Sequence, residues 1–186
     1  MVRVIGGEAR GRTLKSVPGK GTRPITDRVK EALFNILGRQ IEGARVLDLF
    51  GGTGAVGIEA LSRGAAHATF VEKAGKAYRV LRDNVRTVGF DDRAKVVHGD
   101  AFAFLQREPE VPYDIVYIAP PQYKGLWRKA LEMLEERPQW VTEEGLVIVQ
   151  IDPKEREPLT LRHFELEQER RYGDTLLLFW RKRPAS

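Results

Sequence analysis

The chain has 186 residues, 42% hydrophobic and 31% charged, with a net charge of +5 and no cysteine. This is the composition of an ordinary soluble globular chain, long enough to bury a core without staples and predicted to form one domain over residues 1–186. It excludes disulfides, thiolate metal sites and any mechanism with a cysteine nucleophile, and the absence of a membrane-length apolar run or a signal-peptide core points to a cytoplasmic protein.

Charge is unevenly spread. Residues 1–30 carry Arg3, Arg10, Arg12, Lys15, Lys20, Arg23, Arg28 and Lys30 against only Glu8 and Asp27. The remainder is close to neutral, so a basic arm for a polyanion sits on a nearly neutral body. The three histidines, His67, His98 and His163, have no metal-ligand spacing and read as structural; no metal site is expected.

In chain order, Met1 to Val17 alternates loosely, with Val2, Val4 and Leu14 apolar and Gly6, Gly7 and Gly11 at turn positions, which predicts a short β-hairpin. Its basic side chains suit phosphates, which give affinity without sequence information. Pro18 to Gly21 is a loop. Thr22 to Asp27 leads into a helix over about Asp27–Gln40, capped by Thr26 or Asp27, with Val29, Leu33, Ile36 and Leu37 as its apolar stripe and Phe34 beside it.

From Arg45 the pattern alternates between strand and helix. Strands are predicted at Val46–Phe50, Ala68–Glu72, Lys95–His98, Asp114–Ile118 and Leu146–Ile151. Helices are predicted at about Ala55–Arg63, Ala74–Val88, Ala101–Gln106 and Leu126–Glu136. Two closing strands, about Phe164–Arg171 and Thr175–Arg181, form an antiparallel hairpin. The alternation implies a doubly wound, mostly parallel α/β sheet with right-handed crossovers and a ligand site at the carboxyl ends of the strands.

Those ends carry the chemistry. Gly51 and Gly52 break the first of these strands, and Gly52-Thr53-Gly54-Ala55-Val56-Gly57 satisfies the dinucleotide pattern G-x-G-x-x-G, with Glu72 about twenty residues beyond it. Asp48 argues against a pyrophosphate: inside the strand and just ahead of the turn, its carboxylate repels a like charge. It attracts the amine and sulfonium of S-adenosylmethionine, whose ribose hydroxyls suit Glu72. Asp100 ends the next strand and suits the adenine amine, besides being able to cap the Ala101 helix. Phe102 lies near that ring or in the core. Ala119-Pro120-Pro121 closes the strand after it.

Three segments then carry a specific resemblance: Ile5-Gly-Gly-Glu-Ala-Arg-Gly-Arg12, Arg23-Pro-Ile-Thr-Asp-Arg-Val-Lys-Glu-Ala-Leu-Phe-Asn35, and Leu47 through Arg63. Over nearly its whole length the chain resembles the bacterial 16S rRNA guanine-N2 methyltransferases, the RsmD-type family. The resemblance implies a class I S-adenosylmethionine-dependent, Rossmann-like methyltransferase fold: a seven-stranded sheet with an antiparallel C-terminal hairpin and a small N-terminal hairpin. The basic arm is then residues 1–24 and the cofactor-binding core residues 25–186. The implied activity is methylation of the exocyclic amine of a guanine in small-subunit rRNA, on free RNA or on an assembly intermediate.

By resemblance Arg23, Thr26 and Phe34 help close the cofactor site, joining Asp48, Phe50, Gly51, Gly52, Gly54, Glu72, Lys73, Asp100 and Ala101. Arg3, Arg10, Arg12, Lys15 and Arg28 are the expected RNA contacts, with Arg23 among the phosphate-holding residues. The family places Asp-Pro-Pro-Tyr or Asp-Pro-Pro-Phe after the fourth core strand; this chain has Ala119-Pro120-Pro121-Gln122-Tyr123. Ala119 has no side-chain acceptor for the target amine. The carbonyls of Ala119 and Pro120 and the Gln122 amide are the replacements, and Tyr123 is the aromatic that stacks on an unstacked base. The alternatives are a catalytically weak rRNA-binding assembly factor of the same fold and a nicotinamide oxidoreductase. A monomer is expected.

Overall fold

The computed structural model of the protein describes residues 2–17 and 25–185. β3 (Arg45–Asp48), β4 (His67–Glu72), β5 (Ala94–His98) and β6 (Tyr113–Ile118) alternate with α2 (Ala55–Ser62), α3 (Gly75–Thr87) and α4 (Ala101–Leu105); α5 (Leu126–Glu136) then leads to β7 (Val141–Ile151), β8 (Phe164–Tyr172) and β9 (Thr175–Lys182). These form one seven-stranded sheet in the order β5-β4-β3-β6-β7-β9-β8. Pairing is parallel from β5 through β7 and antiparallel for β7–β9 and β9–β8. The expected doubly wound sheet with a closing hairpin is therefore present.

The period-two alternation of the strands sorts their side chains to two faces. Val46, Phe70, Ile115, Ile148 and Phe179 join α1 (Asp27–Leu37), α2 and α3 in one core. Leu47, Leu49, Val71, Val116 and Val149 join α4 and α5 in the other. Helices thus cover both faces, which is why the central strands read as continuous apolar runs.

Most expected boundaries hold within two residues. Thr26 caps α1, its hydroxyl accepting from the Val29 amide at 3.2 Å. The helix stops at Leu37, earlier than Gln40, because Gly38 turns to φ +52° and residues 38–41 tighten into a 3-10 turn. Its stripe is also rotated: Phe34 and Lys30 are buried, while Ile36 is half-exposed. β7 begins five residues before the expected Leu146. Val141 pairs with Tyr113 across a register shift, and Glu144 takes a left-handed φ of +62° within the shifted stretch.

The amino-terminal hairpin consists of two-residue strands, β1 (Val2–Arg3) and β2 (Thr13–Leu14), with Val2 opposite Leu14. So small a hairpin needs support from outside, and α2 supplies it. Glu59, fully buried, accepts the Ile5 and Gly6 amides at 3.0 and 2.9 Å and pairs with Lys30 at 3.2 Å and Arg63 at 2.7 Å. Ser62 accepts the Ala9 amide and donates to the Gly6 carbonyl. Gly7, at φ +78°, leaves no room for a Cβ, which would fall 1.8 Å from the Ser62 carbonyl oxygen. The arm is therefore seated on the helix that follows the glycine turn. Among the described residues, no helix is long and apolar enough to cross a membrane.

Candidate active site

β3 delivers Asp48 to the carboxyl edge of the sheet, on the face shared with Val46 and Tyr117. The side chain is 2% exposed, and its Oδ1 is buried with no hydrogen-bond partner. Burial lifts the Asp48 carboxyl from 3.8 to about 7; the Phe50 backbone amide pulls it down, and the charge of Glu72 adds to the rise. Burial, and then the Asp48 charge, also hold the neighbouring Tyr117 phenol well above its ordinary value. Tyr117 donates to Gln150 on β7. A buried acid with an orphaned oxygen is expensive unless a donor or cation reaches it.

The glycine turn divides its tasks among its glycines. A Cβ on Gly54 would lie 2.4 Å from the Leu81 side chain, one on Gly51 2.9 Å from it, and one on Gly57 2.2 Å from the Phe70 ring. These three are glycine so that α2 and α3 can pack close to the strands. Gly52 differs: its φ is +55° and nothing lies within 4 Å of a Cβ built there. It is the open point of the turn, where a ligand can approach backbone. Asn84, buried on α3, fixes the turn from behind, its amide donating to the Thr53 carbonyl at 2.8 Å.

Glu72, at the end of β4, uses one oxygen to accept the Gly52 amide at 2.8 Å and the other to accept the Ala74 amide at 2.9 Å. A carboxylate has about four acceptor positions, so lone pairs remain for a ligand's hydroxyls. Asp100 caps α4, its Oδ2 accepting the Ala103 amide at 3.0 Å, with Ala101 buried as the first helical residue. Phe50 and Phe102 meet edge to face at 6.0 Å, and the Lys129 ammonium lies 4.2 Å from the Phe102 ring centre. The Lys73 side chain is exposed, and its carbonyl bonds the His98 ring at 3.1 Å.

Two of the expected cofactor contacts already have partners within the protein. Phe34 is buried in the α1 core beneath the Arg63 guanidinium, 5.1 Å from its ring centre. It borders an open cavity of about 420 Å³ with Arg39, Ile41 and Arg63, beside the segment that leads into β3 rather than the one that leaves it. Thr26 is occupied as the cap of α1. Arg23 lies outside the described residues.

Ala119 leaves β6 half-buried, Pro120 is buried, and Pro121 and Gln122 are half-buried. Tyr123 then projects, 60% exposed, with φ +64°. Its hydroxyl donates to Asp152 at 2.7 Å, and its amide donates to Glu155 at 2.9 Å. Sequence reading missed both acids. Asp152 follows directly on the end of β7, so the strand-end rule that picked out Asp48 and Glu72 applies to it as well; the prolines and charges around it disguise the position as an ordinary loop.

Among the described residues, the cations expected to meet RNA are all exposed, and three of them already have partners. Arg3 pairs with Asp27 at 3.0 Å and Lys15 with Asp83 at 3.1 Å; Arg12 donates to the Thr87 carbonyl at 2.6 Å. Arg10 and Arg28 are exposed. Among the described residues, no group of His, Cys, Asp or Glu could hold a metal ion.

The residues gathered at this edge suit S-adenosylmethionine. The orphaned Asp48 oxygen answers a cationic amine, the open Gly52 admits a close approach, and Glu72 keeps acceptors for a ribose. Relatives agree in kind. The chain is 38% identical to Ribosomal RNA small subunit methyltransferase D of Escherichia coli strain K12, over 92% of this chain and 85% of that one. It is 34% identical to the protein of the same name from Haemophilus influenzae, over 92% and 89%. The solved Escherichia coli structure of YhhF superposes with a TM-score of 0.87 at 36% identity, covering 99% of each chain. The model of the family described as conserved hypothetical protein 95 matches residues 2–181. The chain belongs to this family, the RsmD-type methyltransferases.

Proposed function

We propose that this protein transfers a methyl group from S-adenosylmethionine to the exocyclic N2 amine of a guanine in 16S rRNA, as free RNA or within a small-subunit assembly intermediate. It acts as a cytoplasmic monomer of one domain, with residues 1–24 as its RNA-facing arm and residues 25–186 as its catalytic core. The observation that carries the reading is the buried, unpartnered Asp48 oxygen beside the open Gly52 and Glu72. Membership of the family supports it.

Bound at this edge, S-adenosylmethionine supplies a methyl group on a cationic sulfur. Asp48 holds the ligand's ammonium, Glu72 accepts from its ribose hydroxyls and Asp100 from its adenine amine. Tyr123 offers its exposed ring to a guanine that has left its stack, since an amine inside a stack is out of reach. The carbonyls of Ala119 and Pro120, with the Gln122 amide oxygen, accept from the guanine amine and point its lone pair at the methyl carbon. The bound donor would give its methyl group to the guanine nitrogen, and the extra amine proton would leave to solvent. An amine conjugated to a purine is a poor nucleophile, so orientation is the main contribution these residues make.

Ala119 favours a second reading, that of a weakly catalytic rRNA-binding assembly factor. One experiment separates them: incubate 16S rRNA, assembled subunits and tRNA with labelled S-adenosylmethionine and locate the label by mass spectrometry. N2-methylguanine in the rRNA bears out the proposal. S-adenosylmethionine and RNA binding with no methyl on any substrate favours the assembly factor. Tight NAD binding without S-adenosylmethionine binding overturns both.

A further inference from the structure

Tyr123 combines two features that seldom persist together. The residue is 60% exposed, and its backbone is left-handed at φ +64°. A bulky residue keeps such a conformation only where its surroundings over-determine it. Here the determinants are the two acids of the turn after β7. Glu155 accepts the Tyr123 amide at 2.9 Å, which fixes the backbone, and Asp152 accepts the phenol at 2.7 Å, which fixes the ring.

The acids are themselves fixed. They form a reciprocal capping box around the short turn Pro153–Glu155: Asp152 accepts the Lys154 amide at 2.9 Å, and Glu155 accepts the Asp152 amide at 3.2 Å. Asp152 is only 6% exposed. The parallel register, with Ile118 opposite Val149, brings this turn alongside Ala119-Pro120-Pro121. Ring, strand end and turn therefore form one connected unit at the edge that holds Asp48.

We infer that Asp152 and Glu155 are positioning residues, holding the Tyr123 ring as a fixed platform for the base that receives the methyl group. The inference rests on the methyl-transfer reading and extends it: with no side-chain acceptor at Ala119, the platform shares the orientation of the base with the Ala119 and Pro120 carbonyls and the Gln122 amide. A rigid platform lowers the cost of reaching the reactive geometry, and its loss appears in turnover rather than in binding.

The test uses the full-length protein in four forms: wild type, Tyr123→Phe, Asp152→Asn and the double variant. Asp152→Asn and Tyr123→Phe each lower kcat about tenfold on rRNA, with the KM for RNA and the Kd for S-adenosylmethionine within about twofold. The double variant is no slower than the slower single, because both changes act on the one Tyr123–Asp152 contact. Multiplicative losses in the double variant, or an unchanged kcat in both singles, overturn the inference. Tyr123→Phe probes the contact from its exposed side and covers the case in which Asp152→Asn does not fold.

A second readout needs no RNA. In protein labelled with 3-fluorotyrosine, the Tyr123 fluorine resonance, assigned by its loss in Tyr123→Phe, narrows and shifts in Asp152→Asn. An unmoved resonance overturns the clamp. A wild-type protein that transfers no methyl defeats the parent reading instead, and the fluorine spectrum then decides the clamp by itself.

Discussion

Glu72 and Gly52 are joined by a 2.8 Å hydrogen bond from the Gly52 amide to the Glu72 carboxylate. The acid proposed to meet the ribose therefore also shapes the turn that the ligand approaches. Glu72→Ala removes both effects at once. A hydrogen bond to a charged group contributes ~1.5–3 kcal/mol, so binding of S-adenosylmethionine weakens by roughly 10- to 100-fold. Calorimetry measures it, and affinity within twofold of wild type would falsify the assignment of Glu72 to the ligand.

Asp48 makes the free protein sensitive to pH. Its folded value, about 7, lies above the ordinary 3.8, so the folded state holds the proton more tightly than the unfolded chain. That contribution is complete below pH 3.8 and is lost as pH rises through 7, at a cost on the order of a few kcal/mol. A cationic ligand reverses the preference by favouring the ionised acid. S-adenosylmethionine affinity therefore rises from pH 6 to pH 8, while the thermal midpoint of the ligand-free protein falls over the same interval. Asp48→Asn flattens both slopes; slopes identical to wild type in that variant refute the role.

Glu59, fully buried, neutralises the equally buried Lys30 and the partly exposed Arg63. Glu59→Ala strands a buried Lys30 ammonium and frees the Ile5 and Gly6 amides. Removing one partner of a buried ion pair costs ~3–5 kcal/mol, read here as a lower urea midpoint. A change below about 1 kcal/mol, within the range of exposed pairs, contradicts this account.

Gly52 of the turn and Gly57 of α2 respond to the same substitution in different ways. Gly57→Ala sets a methyl 2.2 Å from the Phe70 ring and costs ~1–3 kcal/mol of stability through overpacking. Gly52→Ala meets no neighbouring atom but must hold φ +55°, and its larger effect falls on ligand affinity. Thermal melts with and without S-adenosylmethionine separate the two. Equal losses for both variants in both conditions disprove the division of roles.

Arg10 and Arg28 are the cations with which to test RNA contact, since Arg3 and Lys15, though exposed too, already sit on acids. Arg10→Ala and Arg28→Ala each weaken rRNA binding, and each lowers the slope of log affinity against log salt by about 0.7–0.9. Filter binding across a salt series gives the slope. If neither variant changes it, the protein does not engage phosphate through these two residues.

How far the sequence could be read depended on how local the signal was. Strand, glycine turn and helix announce themselves through neighbours a few residues apart, so β3, α2 and the strand-end acids were legible, as was the closing hairpin. Lys30 was not: it looks like a solvated first-turn cation, and only Glu59, twenty-nine positions later, makes its burial possible. Phe34 reads as lying beside α1's apolar stripe, and its burial beneath the Arg63 guanidinium depends on a residue twenty-nine positions away. Asp152 depends on β7 lying beside β6, a fact of sheet order that no window of sequence contains. The glycines looked alike as letters; Leu81 and Phe70, distant in sequence, decide which of them face packing and which faces open space.

β8 forms the outer margin of the sheet, and its outward side chains carry Glu165, Glu167, Glu169, Arg170 and Arg171, with a register slip between Leu166 and Gln168. A margin that is both charged and irregular gives a stray strand neither a dry surface nor a matching ladder. Sheet-to-sheet aggregation along this side is accordingly disfavoured without an extra element to cover β8.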